Sequence, residues 1–224
     1  MKLDVCDVGV MAFSDAYQMQ LDCVRARLDA PESEPDRLLL VEHAPPVYTL
    51  GRHASAGNVL YTVEQRRALG LELIQTDRGG QVTYHGPGQI TGYPIVRLST
   101  KRGRGVAWYV SGIEETLIQT LQVFGLEGHR DAVNPGVWIG QEKIAAIGVR
   151  VQRQVTMHGF GLNVSTNLSH YRGIVPCGIK ERGVTSMHVF CEGITPAAVK
   201  PVLVRSFCEV FGYTDVAGWE EGVA

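Results

Sequence analysis

VWIGQEKIAAIGVRVQRQVTMHGFGLN, residues 137–163, decides the fold class. It is rich in Val and Ile and carries turn residues at Gly140 and Gln141, so it reads as antiparallel strands. Working outward, residues 106–124 place Tyr109, Ile113, Leu117, Leu121 and Phe124 on one helical stripe that stops at Gly125. Near the N-terminus, Ser14 is the expected cap of a helix whose stripe is Tyr17, Leu21, Val24 and Leu28, ending before Pro31. Residues 37–43 read as a buried strand and residues 47–50 as an edge segment after Pro45 and Pro46. A short helix is expected over 62–69, closed by Gly70, then a strand over 71–76. Residues 78–89 hold too many glycines for regular structure, a strand resumes over 90–98, and residues 100–105 form a basic loop. A last helix runs from the Thr195-Pro196 start to Gly212, with Pro201 as a kink point. Long helices beside hairpin strands, without regular βαβ alternation, predict an α+β two-layer sandwich around a mixed, largely antiparallel sheet.

Composition sets the outer limits. The 224 residues are 45% hydrophobic and 20% charged, with 21 Lys and Arg against 23 Asp and Glu. A chain of this length buries roughly 70% of its unfolded surface, so one core suffices and the expectation is a single domain over 1–224. A net charge of −2 generates no global field toward nucleic acid or anionic membrane. Acids at Asp4 and Asp7 argue against a signal peptide, and no run approaches the ~20 apolar residues of a membrane span, so a cytoplasmic protein is expected. Five scattered cysteines without C-x-x-C spacing indicate neither a disulfide framework nor a zinc site.

The densest chemical signal is Arg78-Gly79-Gly80-Gln81-Val82-Thr83-Tyr84-His85-Gly86-Pro87-Gly88-Gln89. Glycines let backbone N–H groups approach a ligand, while Arg78, Thr83, Tyr84 and His85 add polar contacts, so the segment reads as a ligand wall. It is neither a dinucleotide nor a P-loop fingerprint. Lys143 opens an apolar strand, and alternation puts it on the face of Ala145, Ile147, Val149 and Val151. A dry setting would help such an ammonium give up its proton, although most lysines near hairpin turns are solvated. Cys177, between Pro176 and Gly178, sits in an irregular turn that can aim a nucleophile, whereas Cys6, Cys23 and Cys208 fall on strands or helices and read as core. A thiolate needs a nearby base or cation, for which Lys143, His85 and His158 are the candidates. His158-Gly159-Phe160-Gly161 reads as a second wall of the same pocket, and Ala145, Ala146 and Gly148 leave room for a slender apolar ligand. Four cations within residues 97–104 are either a solvated loop or a patch for an acidic partner.

These blocks, with Tyr93 and the later Pro135-Gly136-Val137-Trp138, residues 140–148, residues 158–163 and Pro176-Cys177-Gly178, together resemble the lipoyl (octanoyl) transferases across most of the chain. The resemblance implies a fold like the catalytic core of biotin and lipoate protein ligases. It implies Cys177 as the nucleophile that takes octanoate as a thioester and Lys143 as the group that poises it and handles protons. Arg78 through His85, Ala146, Ile147, Gly148, Gly159, Phe160 and Gly161 match acyl-binding segments, with His158 as an auxiliary. The implied partners are octanoyl-acyl carrier protein and apo lipoyl domains, acting on a monomer with no cofactor and no metal. The rival readings are an ATP-dependent lipoate or octanoate ligase, which has no need of Cys177, and a non-catalytic acyl-carrier-binding module.

Overall fold

In the computed structural model, which describes residues 2–99, 103–175 and 182–219, side-chain alternation organises the centre of the molecule. Strand β1 (Lys2–Met11) buries Leu3 and Val5, and β2 (Asp36–His43) buries Leu38 and Leu40 on the same side and Leu39 and Val41 on the other. The two strands run parallel, which demands a crossover; helix α1 (Phe13–Asp29) supplies it. Its stripe packs as expected, with Val24 buried and Tyr17, Leu21 and Leu28 half-buried beside it. The expected cap does not hold: Ala12 is the capping position, it makes no side-chain bond, and Ser14 lies in the first turn.

The main sheet is completed by β6 (Gln89–Ile95), β7 (His129–Arg130), β8 (Gly136–Ile139), β9 (Glu142–Gln152), β10 (Val155–Asn163) and β11 (Asp215–Ala217). Its order is β11-β1-β2-β6-β10-β9-β8-β7, parallel at β11-β1 and β1-β2 and antiparallel elsewhere. The sheet is therefore mixed and largely antiparallel, as the Val- and Ile-rich stretch predicts. Arg153 and Gln154 both take left-handed φ (47° and 70°), which suits the two-residue turn between β9 and β10. Helices α3 (Val106–Val123) and α4 (Pro196–Phe211) cover one face. Tyr109, Ile113, Leu117, Leu121, Leu203 and Phe207 are fully buried there, each contributing on the order of 2 kcal/mol. Thr195 caps α4 through its side chain, and left-handed Gly212 ends it.

The other face carries α1 and a smaller sheet of β3 (Val47–Leu50), β4 (Glu72–Gln75) and β5 (Val82–His85), in the order β4-β3-β5. Two expectations are corrected here. Residues 47–50 are the central strand of this sheet rather than an edge, because β4 and β5 pair on either side. The glycine-rich segment is not wholly irregular, since residues 82–85 between its glycines form β5. Helix α2 (Val63–Ala68) opens with the full capping box of Thr62 and Gln65 and is followed by positive-φ Gly70. Among the described residues no helix is long and apolar enough to cross a membrane.

Candidate active site

The face of β9 and β10 beneath the small sheet is nearly bare of side chains. Gly159 pairs with Gly148 and Gly161 with Ala146, so four adjacent positions carry nothing larger than a methyl. At Gly159 a Cβ would lie 2.1 Å from the Gly92 carbonyl oxygen, which leaves glycine as the residue that fits. Over this floor lie β5 and the loop before it. Their separation leaves a cavity of about 40 Å³. The cavity is a slot, suited to a slender chain.

One side of the slot is held by Arg78, which is buried. Its guanidinium donates to the Thr49 carbonyl at 2.6 Å, to Thr49 Oγ1 at 2.9 and 3.2 Å, and to the Gly79 carbonyl at 3.0 Å. Gly79 N–H donates to the Val149 carbonyl at 2.9 Å, tying the loop to β9, and Gly80 turns at φ 83°. On β5, Val82, Thr83 and His85 line the slot. Tyr84 does not: it sits in the small sheet's own core against Tyr48 and Tyr171, with its hydroxyl 3.0 Å from His170 Nδ1.

Aromatic rings close the inner end. Phe13, at the start of α1, stacks on His85 with centroids 6.2 Å apart and lies 5.3 Å from His43. His85 Nδ1 is 2.7 Å from Gln89 Oε1, and Gln89 Nε2 donates to Asn163 Oδ1 at 2.9 Å. Burial pushes the His85 pKa well below its ordinary value, so the ring is neutral. His158 takes left-handed φ (59°) and lies 2.7 Å from Asp77 Oδ1 through Nε2, while Asp77 also meets Arg150 and Tyr17. Burial lowers the His158 pKa despite this carboxylate. Burial alone would raise the Asp77 pKa; its bond to His158 and the nearby Arg150 charge outweigh that and lower it.

The other end opens into a larger cavity that shares Gly80, Gln81, Ile147 and Gly148 with the slot and adds Val110, Asn134, Pro135 and Lys143. Lys143 is buried; Nζ donates to the Pro135 carbonyl at 3.1 Å and lies 4.8 Å from the Trp138 ring centre. Arg182 packs on the same ring at 3.7 Å and pairs with Asp131. Strict alternation through Lys143 fails, because Trp138 pairs with Lys143 while Val137 pairs with Ala145. Ile144 is the extra residue of a bulge, and both Ile144 and Ala145 are buried in the helix-side core.

Cys177, with Pro176 and Gly178, lies outside the described residues. The chain is described up to Val175, whose N–H donates to the Asn58 carbonyl at 2.9 Å, and again from Arg182. From there it runs beside Lys143: Lys143 N–H donates to the Gly183 carbonyl and Thr185 N–H to the Lys143 carbonyl, both at 3.0 Å. Of the basic run, Thr100, Lys101 and Arg102 are also outside the described residues, and Arg104 lies over Trp108 at 5.2 Å.

The slot thus gathers Arg78, Gly80, Gln81, Val82, Thr83, His85, Ala146, Ile147, Gly148, His158, Gly159, Phe160 and Gly161. Gly79 and Lys143 border the outer cavity. Sequence reasoning missed Phe13 and Thr91 as lining residues, and Asp77 as the partner of His158. Asp77 stood next to the glycine segment and could have been included; Phe13 gave no signal beyond an apolar helix start.

A model of the family described as the lipoyl protein ligase A/B catalytic domain matches residues 14–208. An octanoyltransferase of Alkaliphilus metalliredigens is 46% identical over 215 residues, 95% of this chain and 97% of that protein. One of Gloeobacter violaceus is 45% identical over 204 residues, 91% and 88% respectively. The structure of a lipoate-protein ligase A bound with ATP superposes with a TM-score of 0.72, covering 100% of this chain and 89% of that one. At 14% identity the last likeness is one of fold.

Proposed function

The chain belongs to the family of the lipoyl protein ligase A/B catalytic domain, and from that premise we propose that it moves an octanoyl group through a thioester on Cys177. The protein is an octanoyltransferase of lipoate biosynthesis. The donor is octanoyl-acyl carrier protein and the acceptor a lysine of an apo lipoyl domain. The whole chain acts as one catalytic domain, as a monomer in the cytoplasm.

The observation that carries this reading is a narrow slot, floored by glycines, that opens where Lys143 is buried. The acyl chain occupies the slot, with its carbonyl at the mouth. The Cys177 thiolate, stabilised by the Lys143 ammonium, attacks that carbonyl; the bond to the carrier's sulfur breaks, Lys143 gives its proton to that sulfur, and the carrier leaves as a thiol while Lys143 is left neutral. Backbone N–H groups of the glycine loop hold the oxyanion. The lipoyl lysine then gives a proton to the neutral Lys143, attacks the Cys177 thioester as an amine, and becomes an amide as the C–S bond breaks, its second proton passing to water and the cysteine thiolate being restored. A thioester exchanged for an amide runs downhill, so ATP is not needed.

Intact-mass analysis after mixing with octanoyl-acyl carrier protein should show one octanoyl adduct, labile to hydroxylamine and absent from Cys177→Ala. Without the adduct in single turnover, the covalent route is wrong. A ligase would instead release pyrophosphate from ATP and free octanoate.

A further inference from the structure

Phe13 borders two cavities. One is the slot; the other is an open groove between the start of α1 and β4, lined by Tyr17, Ile74 and Asp77 among others. The groove has a volume of about 450 Å³ and is far roomier than the slot, at about 40 Å³. Among the described residues, Phe13 is the one side chain that lines both. It is 3% exposed and rests on His85, the last residue of β5, while Gln81, just before the first residue of that strand, lies at the mouth. His158, which lines the slot, and Asp77, which lines the groove, are joined at 2.7 Å between the two spaces.

Distances turn this wall into a ruler. From Gln81 to His85 is four steps of strand, roughly 13 Å. An extended octanoyl group spans roughly 9 Å, its seven zigzag bonds of about 1.5 Å each advancing about 1.3 Å. It therefore ends short of Phe13. Four more methylenes add about 5 Å at the same bond length and drive the terminal methyl into the ring.

We propose that Phe13 sets the acyl chain length, by closing the slot against a groove that would otherwise extend it. The proposal rests on the slot being the acyl site, as argued under the proposed function. Phe13→Ala joins the two spaces and admits longer chains.

The test compares octanoyl-, decanoyl- and dodecanoyl-acyl carrier protein as donors. Phe13→Ala should raise the dodecanoyl to octanoyl ratio of kcat/KM by about tenfold or more, since each methylene newly accommodated by an apolar wall carries a substantial factor. Phe13→Leu, a milder change to the core, should shift the ratio the same way with decanoyl. Adding Ile74→Trp to Phe13→Ala refills the groove and should return the ratio toward that of the unaltered protein. An unmoved ratio in folded Phe13→Leu and Phe13→Ala overturns the proposal, as does a raised ratio that survives Ile74→Trp. The same preference read as melting-temperature shifts given by octanoate and dodecanoate needs no turnover. Failure of transfer by the unaltered protein therefore counts against the covalent mechanism, while an unchanged fatty-acid preference counts against the ruler.

Discussion

His158 and Asp77 are joined at 2.7 Å across the inner wall of the slot, away from Lys143. His158 pairs with Val149, six residues beyond Lys143 on β9, roughly 17–20 Å along the strand. We propose from that separation that the pair braces the wall rather than sharing the proton path at the mouth.

Asp77→Ala should therefore lower stability by about 1–3 kcal/mol, because a buried imidazole N–H loses its acceptor. The denaturation midpoint should fall, while the pH profile of Cys177 alkylation stays where it was. A profile displaced by Asp77→Ala would return His158 to the chemistry.

Filling the slot at its floor separates binding from folding. Ala146→Leu points new bulk into space the acyl chain needs, and should cut octanoyl transfer by about 10–200-fold with the fold intact. Gly159→Ala should instead act on the fold, since its Cβ meets backbone at 2.1 Å; a loss of about 1–3 kcal/mol in thermal or denaturant melts is expected. Equal melting of both variants with the parent would contradict this division.

Arg78 lines the slot and donates to Thr49 and Gly79. Lysine cannot reproduce the fork, so Arg78→Lys should cost about 1.5–3 kcal/mol in stability and loosen the loop over the slot. Urea unfolding measures the first effect, and protease sensitivity of residues 78–81 the second.

Acid should weaken the protein before its carboxylates titrate. His43 is fully buried, 2.7 Å from the Tyr93 hydroxyl, and burial lowers its pKa to about 4. The unfolded chain binds that proton near pH ~6.5, so the contribution is complete above ~6.5 and lost as pH falls toward ~4. The loss from His43 is about 3 kcal/mol at ~1.4 kcal/mol per unit. His85 and His158 shift in the same direction. His43→Gln should flatten the decline between pH 6.5 and 4 in denaturant titrations; an unaltered slope would place the acid sensitivity elsewhere.

Much of the site could be read from residues whose role lies in what they lack. Gly159, Gly161, Gly148 and Ala146 leave the same bare face wherever a regular hairpin pairs them, so local pairing was enough to foresee a pocket. Tyr84 misled because the glycines around it hid a strand, and alternation sends it opposite to Thr83 and His85. The face of Lys143 was misread for a related reason: a one-residue bulge at Ile144 changes the count, and no local pattern announces it.

From sequence alone came the α+β class, the long helices, the hairpin and the chemical blocks, because each rests on a short-range period or on backbone freedom that neighbours hardly alter. Tertiary structure alone decided that β3 would be central, that Thr49 would hold Arg78 beside the slot, and that Phe13 would line its inner end. Each of those depends on an element distant in the chain arriving at a particular register and depth, and the energy that places it is shared across the whole packed core.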